Sequence, residues 1–353
     1  MASGSSITPG ARAGDKRPIA VFGAAGHTGR FVIAELRRRG RPVILSGRDR
    51  EKLKSAVRDF AGCEIRTASV EQPNSLDRML AGAVAVVNCA GPFADTAAPI
   101  IEAALRSKIP YFDVASEPQT IIDVFGRFDE PAKRARIAIA QGLAFFGGFG
   151  DLLATAAAAG LTAVEEVCIA VALDSWNPTP ATRSTGRSNA GKRRFLVDGK
   201  LELLSDPLPA RNWEFPPPWG EQSVVAFPSG EVVMLPRHLS VRNIRSYLNI
   251  APIKDLRDPN TPPPAASDDG KPSAQTFLID VIVRGERGQQ RRAIARGRDA
   301  YAVTAPIVVE AAERVIDGRC AAIGGVVPGE MFDAREFLGE LSPQHFTLEI
   351  ELH

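Results

Sequence analysis

Apolar and polar positions alternate in blocks of two kinds over the first part of the chain. Compact apolar runs are separated by longer stretches in which the apolar positions recur at helical spacing. The compact runs are typical of strands buried on both faces, and the amphipathic stretches are typical of helices that cover a sheet. The alternation predicts an α/β domain over residues 16–150, built on a doubly wound parallel sheet with helices on both faces.

The pattern changes after Asp151. A strand-like run at 166–173, an alternating strand from Phe277 and a strictly alternating run from His345 indicate a second domain of another kind. We expect a mixed α+β domain with an antiparallel sheet over residues 151–300, which would bind substrate.

The remaining segments differ in composition from these two units. Residues 1–15 are expected to be a disordered tail, since they lack a hydrophobic signal core. Residues 207–218 are proline-rich and predicted to be irregular, and residues 254–275 are predicted to be a mobile loop. Residues 301–353 are expected to form a helix and a terminal strand that return to the domain interface.

A glycine-rich turn follows the first apolar run. Residues 19–29 read IAVFGAAGHTG, and the glycine spacing is that of a Rossmann dinucleotide-binding turn. The first glycine turns the chain, the second lets the backbone approach a pyrophosphate, and the third lets the helix pack on the strand. The free N–H groups that begin the following helix attract the phosphates. We expect cofactor contacts from this turn, namely from Gly23, Ala25, Gly26, His27, Thr28 and Gly29.

The end of the second strand predicts which dinucleotide binds. An NAD-binding domain usually places a carboxylate there for the ribose 2′-OH, but this chain has Ser46 and Arg48, with Lys52 one helical turn further on. A guanidinium suits a 2′-phosphate, which a carboxylate would repel. Asp49 follows the strand and is a candidate cap for the helix that starts at Arg50. The pattern favours NADPH over NADH; the alternative is that Arg48 is a solvated loop residue.

The fourth strand ends at the same edge of the predicted sheet as the glycine turn. The residues after Asn88 are small enough for the backbone to approach the riboses of the cofactor, and Phe93 either packs against the nicotinamide or lies under the next helix. We expect cofactor contacts from Cys89, Ala90, Gly91, Pro92 and Phe93.

Composition excludes several classes of function. The 353 residues are enough for two domains, and 44% hydrophobic with 24% charged residues is ordinary for a globular protein. A formal net charge of +2 gives no reason to expect nucleic acid or a membrane surface as partner. The four cysteines form no CxxC pair and have no nearby histidine, which argues against a metal site and against a disulfide scaffold. A cytoplasmic location is expected.

Five segments resemble the saccharopine dehydrogenase-like reductase family, which also contains the trans-acting enoyl reductases. They are GAAGHTG at 23–29, VVNCAGPF at 86–93, YFDVASE at 111–117, TRST at 182–185 and GRDAYAVTA at 297–305. The resemblance implies an NADP-type Rossmann domain joined to a substrate and dimerisation domain, and hence a homodimer. Two departures, Ala181 in place of a glycine and the FFGGFGD segment at 145–151, lie in substrate-facing regions, so the family's substrates are not carried over.

A proton donor is harder to find in the sequence. Short-chain dehydrogenases use Tyr-x-x-x-Lys, and no tyrosine of this chain has a lysine four residues later, so that mechanism is excluded. Tyr301 and Asp151 are the candidates for acid catalysis. The alternatives are a core position for Tyr301 and a helix-capping role for Asp151. His238 is expected in a surface loop.

Candidate substrate-binding groups lie in both domains. Glu117 follows a strand end of the first domain, and the segment 174–187 of the second contains Trp176, Arg183 and Arg187, which would suit a flat or carboxylated small-molecule substrate. The alternative for this segment is a surface loop between two strands. We expect an NADPH-dependent oxidoreductase that reduces a C=N or C=C bond of a small or medium organic substrate. The alternative is a non-catalytic NADP-binding regulatory protein.

Overall fold

The computed structural model of the chain describes residues 15–59, 62–265 and 270–351. The strands are β1 (Ile19–Phe22), β2 (Val43–Gly47), β3 (Glu64–Thr67), β4 (Ala85–Asn88), β5 (Tyr111–Asp113), β6 (Ala138–Ala140), β7 (Val164–Leu173), β8 (Arg194–Val197), β9 (Lys200–Leu203), β10 (Ala210–Phe215), β11 (Gly220–Ala226), β12 (Val241–Asn249), β13 (Thr276–Gly285), β14 (Gln290–Arg298), β15 (Gly324–Val326) and β16 (Phe346–Glu351). The helices are α1 (His27–Arg38), α2 (Arg50–Asp59), α3 (Pro73–Leu80), α4 (Phe93–Ser107), α5 (Pro118–Ala135), α6 (Gly150–Ala158), α7 (Pro180–Ser188), α8 (Glu231–Met234), α9 (Ile250–Arg257), α10 (Thr304–Ile316), α11 (Pro328–Met331) and α12 (Ala334–Leu341).

Seven strands form a parallel Rossmann sheet in the order β15-β6-β5-β4-β1-β2-β3. Strands β1 and β4 are buried along their whole length, as expected for a sheet covered on both faces. The strand order reverses between β1 and β4, so a ligand crevice opens at their carboxyl ends. The predicted α/β fold class is confirmed. Strand β15 was not predicted as part of this sheet. It comes from the C-terminal segment of the chain and pairs with β6.

The second sheet has the order β10-β11-β12-β7-β13-β14-β16, with the β8–β9 hairpin added at β12. Its strand pairs are antiparallel, as predicted, except that β7 and β12 run parallel. The prediction of an irregular stretch at 207–218 was wrong in part. Strand β10 lies within it, because Trp213 and Phe215 alternate with exposed positions and bury their rings against the sheet.

The long loop predicted at 254–275 also differs from the structure. Its first residues belong to α9, which buries Pro252 and Ile253 on the inner side of the helix. Residues 266–269 and residues 1–14 lie outside the described residues, so most of the predicted tail does as well.

The C-terminal helix α10 packs against α1 of the Rossmann domain. Arg39 forms ion pairs with Glu310 and, at 2.8 Å, with Glu313, and Arg41 forms a 2.7 Å ion pair with Glu313. These partly buried pairs hold the end of α1 against the last third of the chain. No helix in the described ranges is both long and apolar enough to span a bilayer.

Candidate active site

The glycine turn has the geometry that a pyrophosphate needs. Gly23 has a φ of +82°, and a Cβ on Gly29 would lie 2.3 Å from the Gly23 carbonyl oxygen, so the turn and the start of α1 meet without side chains between them. A Cβ on Gly26 would lie 3.1 Å from the same carbonyl oxygen, a tight contact, so this position also favours glycine. The helix that follows starts without a side-chain cap, which leaves its first N–H groups free for an anion. The turn therefore fits a dinucleotide phosphate.

Ser46 holds this turn in place from β2. Its carbonyl oxygen accepts hydrogen bonds from the N–H groups of Gly23 (2.9 Å) and Ala24 (3.0 Å). Its hydroxyl donates to the Arg66 carbonyl at 2.7 Å, and the side chain is fully buried. The expectation of a direct contact between the Ser46 side chain and the cofactor therefore requires correction, because the hydroxyl is already used inside the sheet.

Arg48 comes directly after β2 and is exposed at the carboxyl edge of the sheet, beside the glycine turn. Asp49 caps α2, since its Oδ1 accepts the N–H groups of Glu51 (3.0 Å) and Lys52 (3.1 Å), as predicted. The Lys52 ammonium lies 3.7 Å from the other Asp49 oxygen. Of the two basic groups, Lys52 is thus partly balanced by a carboxylate, and Arg48 is the better placed for a phosphate.

The loop after β4 is fixed from both sides at Ala90. Asn88 accepts the Ala90 N–H at 3.0 Å, and the Thr96 hydroxyl donates to the Ala90 carbonyl at 2.6 Å. The Asn88 amide in turn donates to Thr96 at 3.1 Å and to the Tyr111 hydroxyl at 3.2 Å. These bonds fix the position of the following backbone at Gly91, which borders the crevice.

A buried carboxylate supports this loop from below. Asp113 accepts the Tyr111 hydroxyl at 2.9 Å through Oδ2, and the N–H groups of Gly142 (2.8 Å) and Ala115 (3.1 Å) through Oδ1. Burial raises the pKa of Asp113 to about 6, although these hydrogen bonds oppose the shift. The same burial raises the pKa of the Cys89 thiol, which borders the crevice and is therefore held as a neutral thiol.

A cavity of about 160 Å³ lies between this edge of the Rossmann sheet and the second domain. Rossmann residues, second-domain residues and the C-terminal segment all contribute to its wall. The predicted site residues that line it are Thr28, Cys89, Gly91, Phe93, Glu117, Trp176 and Tyr301. The cavity thus brings the glycine turn, the loop after β4 and the 174–187 segment together.

Tyr301 is the centre of a hydrogen-bond chain in the cavity wall. Its hydroxyl oxygen accepts the indole N–H of Trp176 at 3.1 Å and the backbone N–H of Thr179 at 3.2 Å, and it lies 2.9 Å from the Thr182 hydroxyl. The Thr182 hydroxyl lies 2.9 Å from that of Thr179. Burial raises the pKa of Tyr301, so the phenol is protonated at neutral pH.

The direction of this chain follows from counting donors and acceptors. A phenol oxygen has room for two donated hydrogen bonds, which Trp176 and Thr179 supply, so the proton of Tyr301 goes to Thr182. Thr182 then donates its own proton to Thr179, whose oxygen also accepts the Thr182 N–H at 3.0 Å. The hydroxyl proton of Thr179 is left for the cavity, which this side chain lines.

Aromatic rings form the opposite part of the wall. The ring of Phe146 lies 5.5 Å from Trp176 and 5.3 Å from Phe227, measured between ring centroids. The guanidinium of Arg193 lies over the Phe227 ring at 4.3 Å. The FFGGFGD segment, which departs from the family pattern, thus supplies an apolar surface to the cavity.

Besides Ser46, three sequence predictions of site residues need correction. Arg183 does not line the cavity, because its guanidinium donates to the carbonyls of Leu256 (2.7 Å) and Thr261 (2.9 Å) and so fastens α7 to the end of α9. Arg187 is exposed in the last turn of α7, outside the cavity lining. The segment 174–187 is also not a surface loop throughout, since it contains most of α7.

Asp151 is the third correction. It is completely buried in the first turn of α6 and lies outside the cavity wall. Its oxygens bind Nε2 of His238 at 2.8 Å and the N–H of Gly329 at 2.6 Å. His238, expected in a surface loop, is therefore a partly buried partner where three segments of the chain meet.

The other predicted cofactor residues lie around the turn. The His27 ring is edge-on to Phe31 and to Tyr301, each at 5.1 Å, so the turn touches the C-terminal segment there. Ala25, Ala90 and Pro92 are partly exposed next to the turn and the loop after β4.

Sequence reasoning missed Thr179, Thr182 and Arg193 as cavity residues. Both threonines lie in segments that the motifs had singled out, but the sequence does not reveal their hydrogen-bond partners. Arg193 had no signal at all, since its KRR context is typical of a solvated basic run.

The structure combines a parallel Rossmann sheet with a second, mixed sheet, and a cavity lies between them. Residues 19–164 match the family model "Saccharopine dehydrogenase NADP binding domain". Residues 19–164 are therefore similar to the NADP-binding domain of saccharopine dehydrogenase, as the motifs indicated, and this match supports NADP(H) as the cofactor.

Known proteins agree with this assignment. The chain is 30% identical over 132 residues to the saccharopine dehydrogenase-like oxidoreductase of Bos taurus, and 32% identical over 125 residues to that of Homo sapiens. These matches cover 32% and 30% of this chain but only 31% and 29% of the two relatives. Apo saccharopine dehydrogenase (L-Glu forming) from Saccharomyces cerevisiae has the same fold over 95% of this chain and 99% of its own, with a TM-score of 0.68 and 12% identity.

Proposed function

We propose that the protein is an NADPH-dependent oxidoreductase that reduces a C=N or C=C bond of a small or medium organic molecule. The observation that carries the proposal is the cavity at the crevice of the Rossmann sheet, with a chain of hydroxyl groups ending in it. The names of the curated relatives support the oxidoreductase class.

The residues present fit NADPH. The glycine turn and the start of α1 would hold the pyrophosphate, Arg48 the 2′-phosphate, and the loop after β4 would border the nicotinamide end. When bound, NADPH supplies the hydride. The chain's own part is to hold the acceptor bond over the crevice, to exclude water with the aromatic wall, and to supply a proton.

The hydroxyl chain supplies that proton. Thr179 donates its free hydroxyl proton to the nitrogen or carbon that develops negative charge. Thr182 then passes its hydroxyl proton to Thr179, and Tyr301 passes its phenol proton to Thr182. Each proton moves one oxygen along the chain, and Tyr301 regains its own from solvent during turnover. Tyr301 thus acts through the two threonines, which modifies the expectation of direct donation.

The experiment is a turnover assay with NADPH and a panel of cyclic imines, enones and ketones. We expect NADPH oxidation with members of the first two classes. Thr179→Ser retains a hydroxyl and should retain most of the rate, whereas Thr179→Ala should lose at least tenfold in kcat. Tight NADPH binding without turnover over the whole panel would favour the regulatory alternative, and failure to bind NADPH would overturn the proposal.

We also propose that the protein is a homodimer, as the family resemblance implies, and that it is cytoplasmic, since its widely spaced cysteines suit a reducing compartment. Light scattering on the purified full chain tests the dimer, and a monomeric mass at working concentration would contradict it. Fractionation of the source cells tests the location.

A further inference from the structure

Arg193 stands apart from the other arginines that the cavity region contains. It lies between α7 and β8, lines the cavity, and stacks its guanidinium on Phe227. The only hydrogen bond of its guanidinium in the described residues is a long one, 3.4 Å, from Nη1 to the Ala226 carbonyl. Four of its five N–H donors therefore remain available.

The charge of Arg193 is not balanced by any carboxylate of the described residues. In the ranges 15–59, 62–265 and 270–351, no aspartate or glutamate forms an ion pair with it. The charged side chain that acts on its pKa is Arg257, which carries the same charge. Burial, and secondarily Arg257, lower the pKa of the Arg193 guanidinium. A partly buried cation without a partner is destabilising, and an anionic ligand would relieve that cost.

The other charged group of the cavity has partners of its own. Glu117 accepts the Thr185 hydroxyl at 3.0 Å and the Ser116 N–H at 2.9 Å. A negative ligand group would be repelled near Glu117 and attracted to Arg193. The two residues would therefore orient a ligand with its negative end at Arg193. The aromatic rings of Phe146, Trp176 and Phe227 line the same cavity.

We propose that Arg193 binds the carboxylate of a substrate whose body is flat and apolar. The guanidinium fork takes the two carboxylate oxygens, and the aromatic wall takes the planar body with the bond to be reduced. This inference rests on the proposed function, whose substrate class it narrows to unsaturated or imine-bearing aromatic acids.

The experiment compares an acid with its neutral isostere. Cinnamate and cinnamamide, used as probes, are titrated calorimetrically into the full-length protein saturated with NADP⁺. We expect cinnamate to bind at least tenfold more tightly than cinnamamide. Arg193→Gln should remove most of that preference, and Arg193→Lys should give an intermediate value because a point charge replaces the fork. Arg187→Gln is the matched control, an exposed arginine of the same region, and should leave the preference unchanged.

The outcomes separate this inference from the proposed function. Equal affinity for the two probes, no binding of either, or a preference that survives in Arg193→Gln would overturn the role of Arg193 while leaving reductase chemistry open. If NADP⁺ itself fails to bind, the proposed function falls, and the acid–amide comparison on the cofactor-free protein still decides for or against Arg193. If Arg193→Gln fails to fold, the comparison in the unmodified protein and in Arg193→Lys gives the decision.

Discussion

The Thr185 hydroxyl of α7 donates a 3.0 Å hydrogen bond to the Glu117 carboxylate at the start of α5. Thr185 belongs to the second domain and Glu117 to the Rossmann domain, and both line the cavity. The bond therefore joins the two domains at the place where the substrate is proposed to bind. A carboxylate expected to contact substrate thus has a second role in holding the cavity wall together.

Gly26→Val is expected to abolish NADPH binding while the protein remains folded. A branched side chain at position 26 would occupy the place where the pyrophosphate approaches the turn. Fluorescence titration with NADPH measures the effect, and thermal unfolding checks the fold. Gly126→Val, at an exposed position of α5 with free space around it, is the control. Affinity near that of the unmodified protein would show that Gly26 does not contact the cofactor.

Arg48→Ala is expected to weaken NADPH binding and leave NADH binding nearly unchanged. Loss of a charge-assisted phosphate contact costs about 1.5–3 kcal/mol, roughly tenfold to over a hundredfold in Kd. Arg50→Ala, which removes an exposed arginine two residues later, should change neither affinity by more than a small factor. Equal affinities for NADPH and NADH in the unmodified protein would refute the assignment of Arg48.

Tyr301→Phe is expected to lower both stability and kcat. The variant leaves the Trp176 indole N–H and the Thr179 N–H without their acceptor, which costs about 1–3 kcal/mol in the free energy of unfolding. It also removes the proton source of the hydroxyl chain. Chemical denaturation and turnover assays measure the two effects, with Tyr247→Phe as a buried control away from the cavity. Unchanged kcat would restrict Tyr301 to a structural role.

Arg183→Ala is expected to destabilise the protein without a specific effect on substrate binding. The side chain holds the carbonyls of Leu256 and Thr261, so its loss frees the end of α9 and costs about 1–3 kcal/mol. Thermal unfolding and KM measure the two effects separately. A large rise in KM with native stability would return Arg183 to the substrate site.

Asp113→Asn is expected to change the pH dependence of stability. The pKa of Asp113 is about 6 in the folded protein against 3.8 as its ordinary value, so between these values the folded state holds a proton that the unfolded state has released. The contribution of this group to stability therefore falls as the pH rises from about 4 to about 6.5, by about 3 kcal/mol in all.

The test compares the two proteins by urea unfolding across that range. The stability of the unmodified protein minus that of Asp113→Asn should decrease with rising pH. Asp123→Asn, an exposed position of α5, should give a difference that does not follow this course. A difference that is constant, or that increases with pH, would contradict the protonated state of Asp113.

The sequence by itself determined the Rossmann half of this protein. Buried parallel strands need continuous apolar runs, and a phosphate-binding turn needs glycines at fixed spacing, so both leave a local record such as residues 19–29. The cap at Asp49 is local for the same reason. The similarity to an NADP-binding domain followed from these segments.

The tertiary structure alone decided which side chains of the second domain reach the cavity. The sequence favoured Arg183 over Arg193 as a site residue. In the structure α9 offers a carbonyl acceptor to Arg183, whereas Arg193 stacks on Phe227 and has no ion-pair partner among the described residues. Asp151 is bound by His238 and Gly329, which are distant in the sequence. The physical reason is that the role of a polar side chain depends on its hydrogen-bond or ion-pair partner. That partner is set by the packing of segments that are far apart in the chain.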